Sequence, residues 1–250
     1  MRQYPHEVNQ KGVATAGLVT RQSFEKKVPK LSQFVKDRQP AMPSGLTRDL
    51  LRLVAFDYAN GVAVSELQRM LGQAAEYAQL AVEFGAPLSP TSFMTYLGLA
   101  HITAFEPLRR TLEPLSRGQY TNPSVTSDES FYLLAEVLAF VSAGDTPSAL
   151  SRVRFLQERL ANRQVPTVAE ARVRSLVPFA EAVSGHNEAA LAKAADARMQ
   201  YLVKTYNTAE FRNSPDALLD LEGLGWLALA KTTGLHVTTN NVYLPSELLV

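Results

Sequence analysis

Apolar residues recur along this 250-residue chain at helical spacing. Phe131, Leu134, Leu138 and Val141 fall at offsets 0, 3, 7 and 10, one stripe of a helix. Leu191, Ala194, Ala195, Met199, Leu202 and Tyr206, at 0, 3, 4, 8, 11 and 15, form another. No long run alternates with the period of two that a half-buried strand requires. The pattern predicts helices near residues 21–38, 46–60, 63–84, 91–105, 107–116, 127–143, 147–162, 167–184, 187–206 and 215–233. Most prolines fall between these segments or in their first turns, as in Ser89-Pro90, Thr146-Pro147 and Ser214-Pro215. Pro29 and Pro178 lie inside helical patterns and should kink them.

A weak repeat joins some of these segments. Gly144 to Leu150 and Gly185 to Leu191 share a Gly-cap-Leu spacing, and Gly61 to Leu67 repeats it upstream. A glycine ends one helix, a polar residue caps the next, and a leucine enters their shared seam. This is hairpin grammar of the tetratricopeptide kind without the full 34-residue motif, and any antiparallel helix pair favours the same turn. The expectation is an all-α single domain of about ten helices in antiparallel hairpins over residues 21–250. Residues 1–20 are expected as an N-terminal extension, loosely ordered. The longest expected loop spans residues 117–126, where Gly118, Asn122 and Pro123 punctuate a polar stretch.

Composition narrows the function classes. With 46% hydrophobic residues, a sizeable core is affordable and global disorder is excluded. The chain has no cysteine, which excludes disulfides, thiolate metal sites and a thiol nucleophile. The most apolar stretches, residues 96–105 and 131–143, fall short of the ~18 to 20 residues a bilayer requires. No leader pattern opens the chain, so a cytoplasmic location without membrane contact is the expectation. The formal net charge of +1 hides a split. Residues 1–40 carry eight Lys and Arg against three Asp and Glu, and the remainder carries 17 against 21. The basic segment 21–38 holds Lys26, Lys27, Lys30, Lys36 and Arg38 beside Phe24, Leu31 and Phe34. No base-stacking motif accompanies it, so a solvated helix face is favoured over nucleic-acid binding.

Motifs for catalysis are missing. There is no nucleophile elbow, phosphate loop or His-Glu-x-x-His pair, and Gly223-Leu-Gly225 lies inside a helix rather than between strand and helix. His6, His101, His186 and His236 are far apart. His101 sits in an apolar helix and is read as a buried, hydrogen-bonded histidine. His186 and His236 are read as exposed. Asp128-Glu129 and the group Asp216, Asp220 and Glu222 are read as acids complementing helix N-termini, with Ser127 and Ser214 as caps. No catalytic, cofactor or metal site is expected.

The last forty residues have the most individual character. Gly223 and Gly225 each cost a helix ~1 kcal/mol relative to alanine, which is best tolerated where another backbone approaches closely. Leu235, Val237, Tyr243, Leu244, Leu248 and Leu249 are too apolar for a loose tail, so an extended segment should dock on the bundle. The run Asp220-Leu-Glu-Gly-Leu-Gly-Trp-Leu-Ala-Leu-Ala-Lys-Thr-Thr-Gly-Leu-His-Val237, followed by Tyr243-Leu-Pro245 and Leu248-Leu249, resembles the immunity-49 family of bacterial polymorphic-toxin immunity proteins. The specific likeness covers roughly the last thirty residues.

That resemblance implies a helical protein that neutralises a cognate toxin domain by binding it and occluding its active site, and it carries over no catalytic residue. The alternative is a helical-hairpin scaffold or adaptor binding a peptide or protein partner. Third comes an enzyme whose residues meet only in three dimensions, with His101 as its best candidate. Tyr120, in the polar loop, is the candidate partner-binding residue, while Trp226 and Tyr243 are eligible anchors expected in the core.

Overall fold

The computed structural model describes residues 1–115, 119, 128–162 and 166–250. Tyr120 and Ser127 lie outside the described residues. The described residues form helices and no strand: α1 (Gln10–Lys27), α2 (Leu31–Lys36), α3 (Ala41–Ala59), α4 (Val64–Glu83), α5 (Pro90–Ile102), α6 (Glu106–Leu112), α7 (Glu129–Ser142), α8 (Thr146–Ala161), α9 (Val168–Ser184), α10 (Glu188–Tyr206) and α11 (Leu221–Thr232). Among them no helix is long and apolar enough to cross a membrane.

Local chemistry places most starts and stops. The side chains of Asn9, Ser89, Asp145 and Asn187 accept backbone N–H bonds at the starts of α1, α5, α8 and α10. Thr167 and Glu170 close a reciprocal capping box on α9. Asp128 caps α7 by accepting from Ser130. Gly61 and Gly144 end α3 and α7 with positive φ, whereas after α9 His186 takes the left-handed position and Gly185 does not. The three expected hairpins, α3 with α4, α7 with α8 and α9 with α10, all pack as pairs.

Three boundaries differ from expectation. The helix expected at residue 21 starts at Gln10 and breaks at Pro29, where Val28–Lys30 tighten into a 3-10 turn before α2. A helix expected from residue 46 starts at Ala41, because Pro43 sits in its first turn, where a missing N–H costs nothing. The helix expected from Pro215 is instead a 3-10 turn, Pro215–Ala217, followed by α11 from Leu221. Residues between them are held by distant partners. Tyr4 donates to the carbonyl of Leu218 (2.9 Å), and the Asp220 N–H donates to the carbonyl of Tyr243 (2.9 Å).

Residues 1–20 are not a loose extension. The Arg2 guanidinium donates to the Tyr58 carbonyl at 3.0 Å and stacks on the Tyr58 ring. His6 is 5% exposed among Tyr4, Tyr206 and Tyr243, with the Tyr243 hydroxyl 2.5 Å from its Nδ1. The strap continues to Asn9, whose N–H bonds the Arg212 carbonyl. In α1, Arg21 pairs with Asp57 and Lys27 with Asp49, so part of the basic surplus of the first forty residues neutralises acids of α3.

One core runs from Val13 to Leu249. At its centre lies α11, buried from Gly223 through Ala230 and packed against α5, α9 and α7. A helix apolar on every side belongs inside a protein. Its tightest crossing is with α5: a β-carbon on Gly225 would stand 2.9 Å from the Cα of Gly98. The close approach expected of the two glycines is therefore present at Gly225. The tail docks as expected, with Tyr243, Leu244, Leu248 and Leu249 buried.

Candidate binding cleft

Chemistry-bearing residues fall into three places. Trp226 and Tyr243, as expected, are core residues, 2% and 0% exposed. His186 and His236 are exposed. His101 is buried in α5, and its Nε2 lies 2.7 Å from the Ser142 hydroxyl, which donates to Glu113 (2.6 Å). Since the single serine proton is committed to the carboxylate, His101 must carry its proton on Nε2 and donate to Ser142. An imidazole activating a nucleophile would have to accept there instead. Burial, with Arg109 nearby, lowers the His101 pKa to about 4.

The acids of the C-terminal run do something the sequence reading did not foresee. Asp220 precedes the first turn of α11 but makes no side-chain cap bond. Its two oxygens accept from Nε and Nη2 of Arg198 on α10, both at 2.8 Å, and the two side chains are each 3% exposed. Glu222 accepts a two-pronged bond from Arg172 on α9 (2.9 and 2.8 Å) and a third from Arg198 (3.2 Å). Ser175 also receives a bond from Arg198. Two guanidiniums and two carboxylates thus form a closed, neutral quartet across α9, α10 and α11. Burial opposes the charge of Arg198, yet Asp220 and Glu222 outweigh it and hold its pKa above the usual arginine value. For Arg172 the Glu222 charge is the largest cause of an upward shift. Asp216 pairs outside the quartet, with Arg52 of α3.

Above the quartet opens a cleft of about 410 Å³, within the size range of ligand pockets. Its walls are Leu51 and Ala55 of α3, Tyr201, Leu202 and Thr205 of α10, and Phe211 and Leu219 of the connection to α11. Val168, the first residue of α9, stands at its rim and is 87% exposed. The arrangement offers apolar surface over a floor whose charges are already matched. Among the described residues no cluster of three His, Asp or Glu could hold a metal ion.

Arg198 was legible in principle. It lies four residues after Ala194 and four before Leu202, on the apolar stripe of α10, and a cation there signals a buried partner. The stripe read from the sequence placed Met199 instead, which is only half-buried. A second surface feature lies on α8, where Phe155 is 49% exposed between two shallow depressions bordered by Pro147, Leu150 and Arg154.

No protein-family model matches the chain, and no curated protein and no solved structure is similar to it.

Proposed function

We propose that this protein acts by binding another protein, as an immunity protein that neutralises a cognate bacterial toxin domain in the cytoplasm by covering its active site. The supporting observation is the cleft: apolar walls over a floor of mutually paired charges make a receptor for a protein surface. Proton transfer would call instead for an unpaired group with a tuned pKa. The C-terminal run that resembles the immunity-49 family supports the same reading. Its first residues, Asp220, Leu221 and Glu222, line that cleft beside Arg172 of α9 and Arg198 of α10.

The reading of a scaffold that takes a peptide along an inner groove is weakened by α11. The faces of α5, α7 and α9 that would line such a groove already pack against it.

Coexpression in a heterologous host with the toxin domain encoded by the adjacent gene is the test. Restored growth, with a one-to-one complex on size-exclusion chromatography, is the expected result. Undiminished toxicity beside soluble protein would overturn the proposal.

A further inference from the structure

Of the first nine residues only His6 is buried; Tyr4 and Val8 are half-buried and the rest are exposed. A largely solvated segment is thus anchored by the side chain type that gains a proton near neutral pH. The cage around it is aromatic and uncharged. Tyr4 of the strap meets the imidazole edge-on, with ring centres 5.6 Å apart. Tyr206, the last residue of α10, lies at 5.5 Å, and Tyr243 of the tail stacks on the imidazole at 5.7 Å. The charged groups around this cage are committed elsewhere. Arg2 bonds the Tyr58 carbonyl, Glu7 pairs with Arg212 (2.9 Å), and Arg198 and Asp220, whose charges act on Tyr206, pair with each other. Among the described residues no carboxylate reaches His6, and burial alone lowers its pKa from the usual 6.5.

The two ring nitrogens decide what a proton would do there. Nδ1 lies 2.5 Å from the Tyr243 hydroxyl, a bond that a neutral imidazole can either give or accept. Nε2 is buried and has no partner. An imidazolium carries N–H on both nitrogens, so it would bury a charge and an unbonded donor together. Stacking on Tyr243 offsets part of that cost but supplies no acceptor. The segment can also leave without the bundle. α1 begins at Gln10, and its cap, the Asn9 side chain on the Gly12 N–H, lies just beyond the strap. The remaining backbone and tyrosine attachments are single hydrogen bonds that water can replace: Arg2 N–H to the Ala59 carbonyl, Tyr4 to the Leu218 carbonyl, and Glu7 N–H to the Asn207 side chain.

We propose that residues 1–8 are a proton-operated latch: a proton on His6 lifts the segment off Tyr206 and Tyr243, about a hinge at Asn9, while the helices stay folded. Opening uncovers Tyr243 and releases one side of Tyr206, which packs on Phe211 and with it lines the cleft. The latch is a property of the chain alone and rests on no partner.

The test is amide hydrogen exchange of the purified full chain, read by NMR at pH 7.5 and 5.5, with each rate divided by its intrinsic rate at that pH. An open strap whose histidine titrates normally, against a closed one that stays neutral, predicts about tenfold less protection of the strap amides at pH 5.5. Arg2 and Glu7 report this best, since both N–H groups are bonded in the closed state. Amides of α3 and α11 should keep their protection. His6→Phe and His6→Gln, which keep a side chain in the cage but cannot titrate, should show the same strap protection at both pH values. The response should survive Glu7→Gln, which removes the charge paired with Arg212. Equal strap protection of the natural protein at the two pH values would overturn the latch. So would a response that persists in the His6 variants, one that vanishes in Glu7→Gln, or a loss of protection shared equally by α3 and α11.

Discussion

Arg198 and Asp220 meet through two 2.8 Å bonds from α10 to the residue that opens α11, and each side chain is 3% exposed. Placing two ions in the interior costs several kcal/mol each, and their attraction repays this only when the geometry is close and the remaining donors are satisfied. Here they are, through Ser175 and Glu222. The pair fixes where α11 begins relative to α10, and so sets the floor of the cleft.

Removing one partner should therefore be far worse than removing both. Asp220→Ala leaves the guanidiniums of Arg198 and Arg172 sharing one carboxylate, Glu222, with a net positive charge in the core, and is expected to cost about 3 to 5 kcal/mol. Asp220→Leu combined with Arg198→Met replaces the ions with apolar groups and should recover most of that loss. Urea denaturation of the single and double variants checks this. A double variant less stable than Asp220→Ala would refute the argument.

Two glycines in helix interiors should respond oppositely to alanine. In α4, a β-carbon on Gly72 meets nothing within 4 Å, so Gly72→Ala should stabilise by about 0.5 to 1 kcal/mol through helix propensity alone. In α11, a β-carbon on Gly225 would lie 2.9 Å from the backbone of Gly98, which no side-chain rotation relieves. Gly225→Ala should destabilise by about 1 to 3 kcal/mol as the helices are forced apart. Denaturation midpoints that move in the same direction for both would count against the close crossing.

What was readable in the sequence depends on the range of the interaction. Helices and hairpins follow from spacings of three, four and seven residues, and the stripe Phe131, Leu134, Leu138 and Val141 is buried as read. Caps such as Asp145 and Asn187 are local too. The close backbone approach at Gly225 was legible because a glycine in a helix interior violates a local preference, whereas Gly223 faces the Asp220 and Leu244 side chains instead. By contrast, the N-terminal strap rests on Tyr4 with Leu218 and His6 with Tyr243, more than 200 residues apart, and no periodicity records such pairs. Likewise, Asp216, Asp220 and Glu222 look like ordinary helix-end acids. Their partners Arg52, Arg198 and Arg172 lie 164, 22 and 50 residues away, so the cleft emerges only on folding.

The buried histidines give the protein a pH dependence whose sign is fixed. Burial lowers the pKa of His6 from its usual 6.5, and that of His101 to about 4. Below about pH 6.5 the unfolded chain binds these protons while the folded chain does not. Stability therefore falls as pH falls, because it rises with pH wherever the unfolded state holds more protons. By pH 4 the His101 contribution is on the order of 3 kcal/mol. The acids Glu66, Glu106 and Asp145, whose pKa values are also lowered by hydrogen bonds, enter only near or below 4.5, the highest of their unfolded values. The interval from pH 6.5 to 5 thus isolates the histidines. Urea midpoints measured across it should drop steadily for the natural protein. His101→Gln, which keeps a donor toward Ser142 but has no titration, should be less stable at pH 7 and show a shallower drop. Equal slopes for the two proteins would mean that His101 does not stay neutral in the fold.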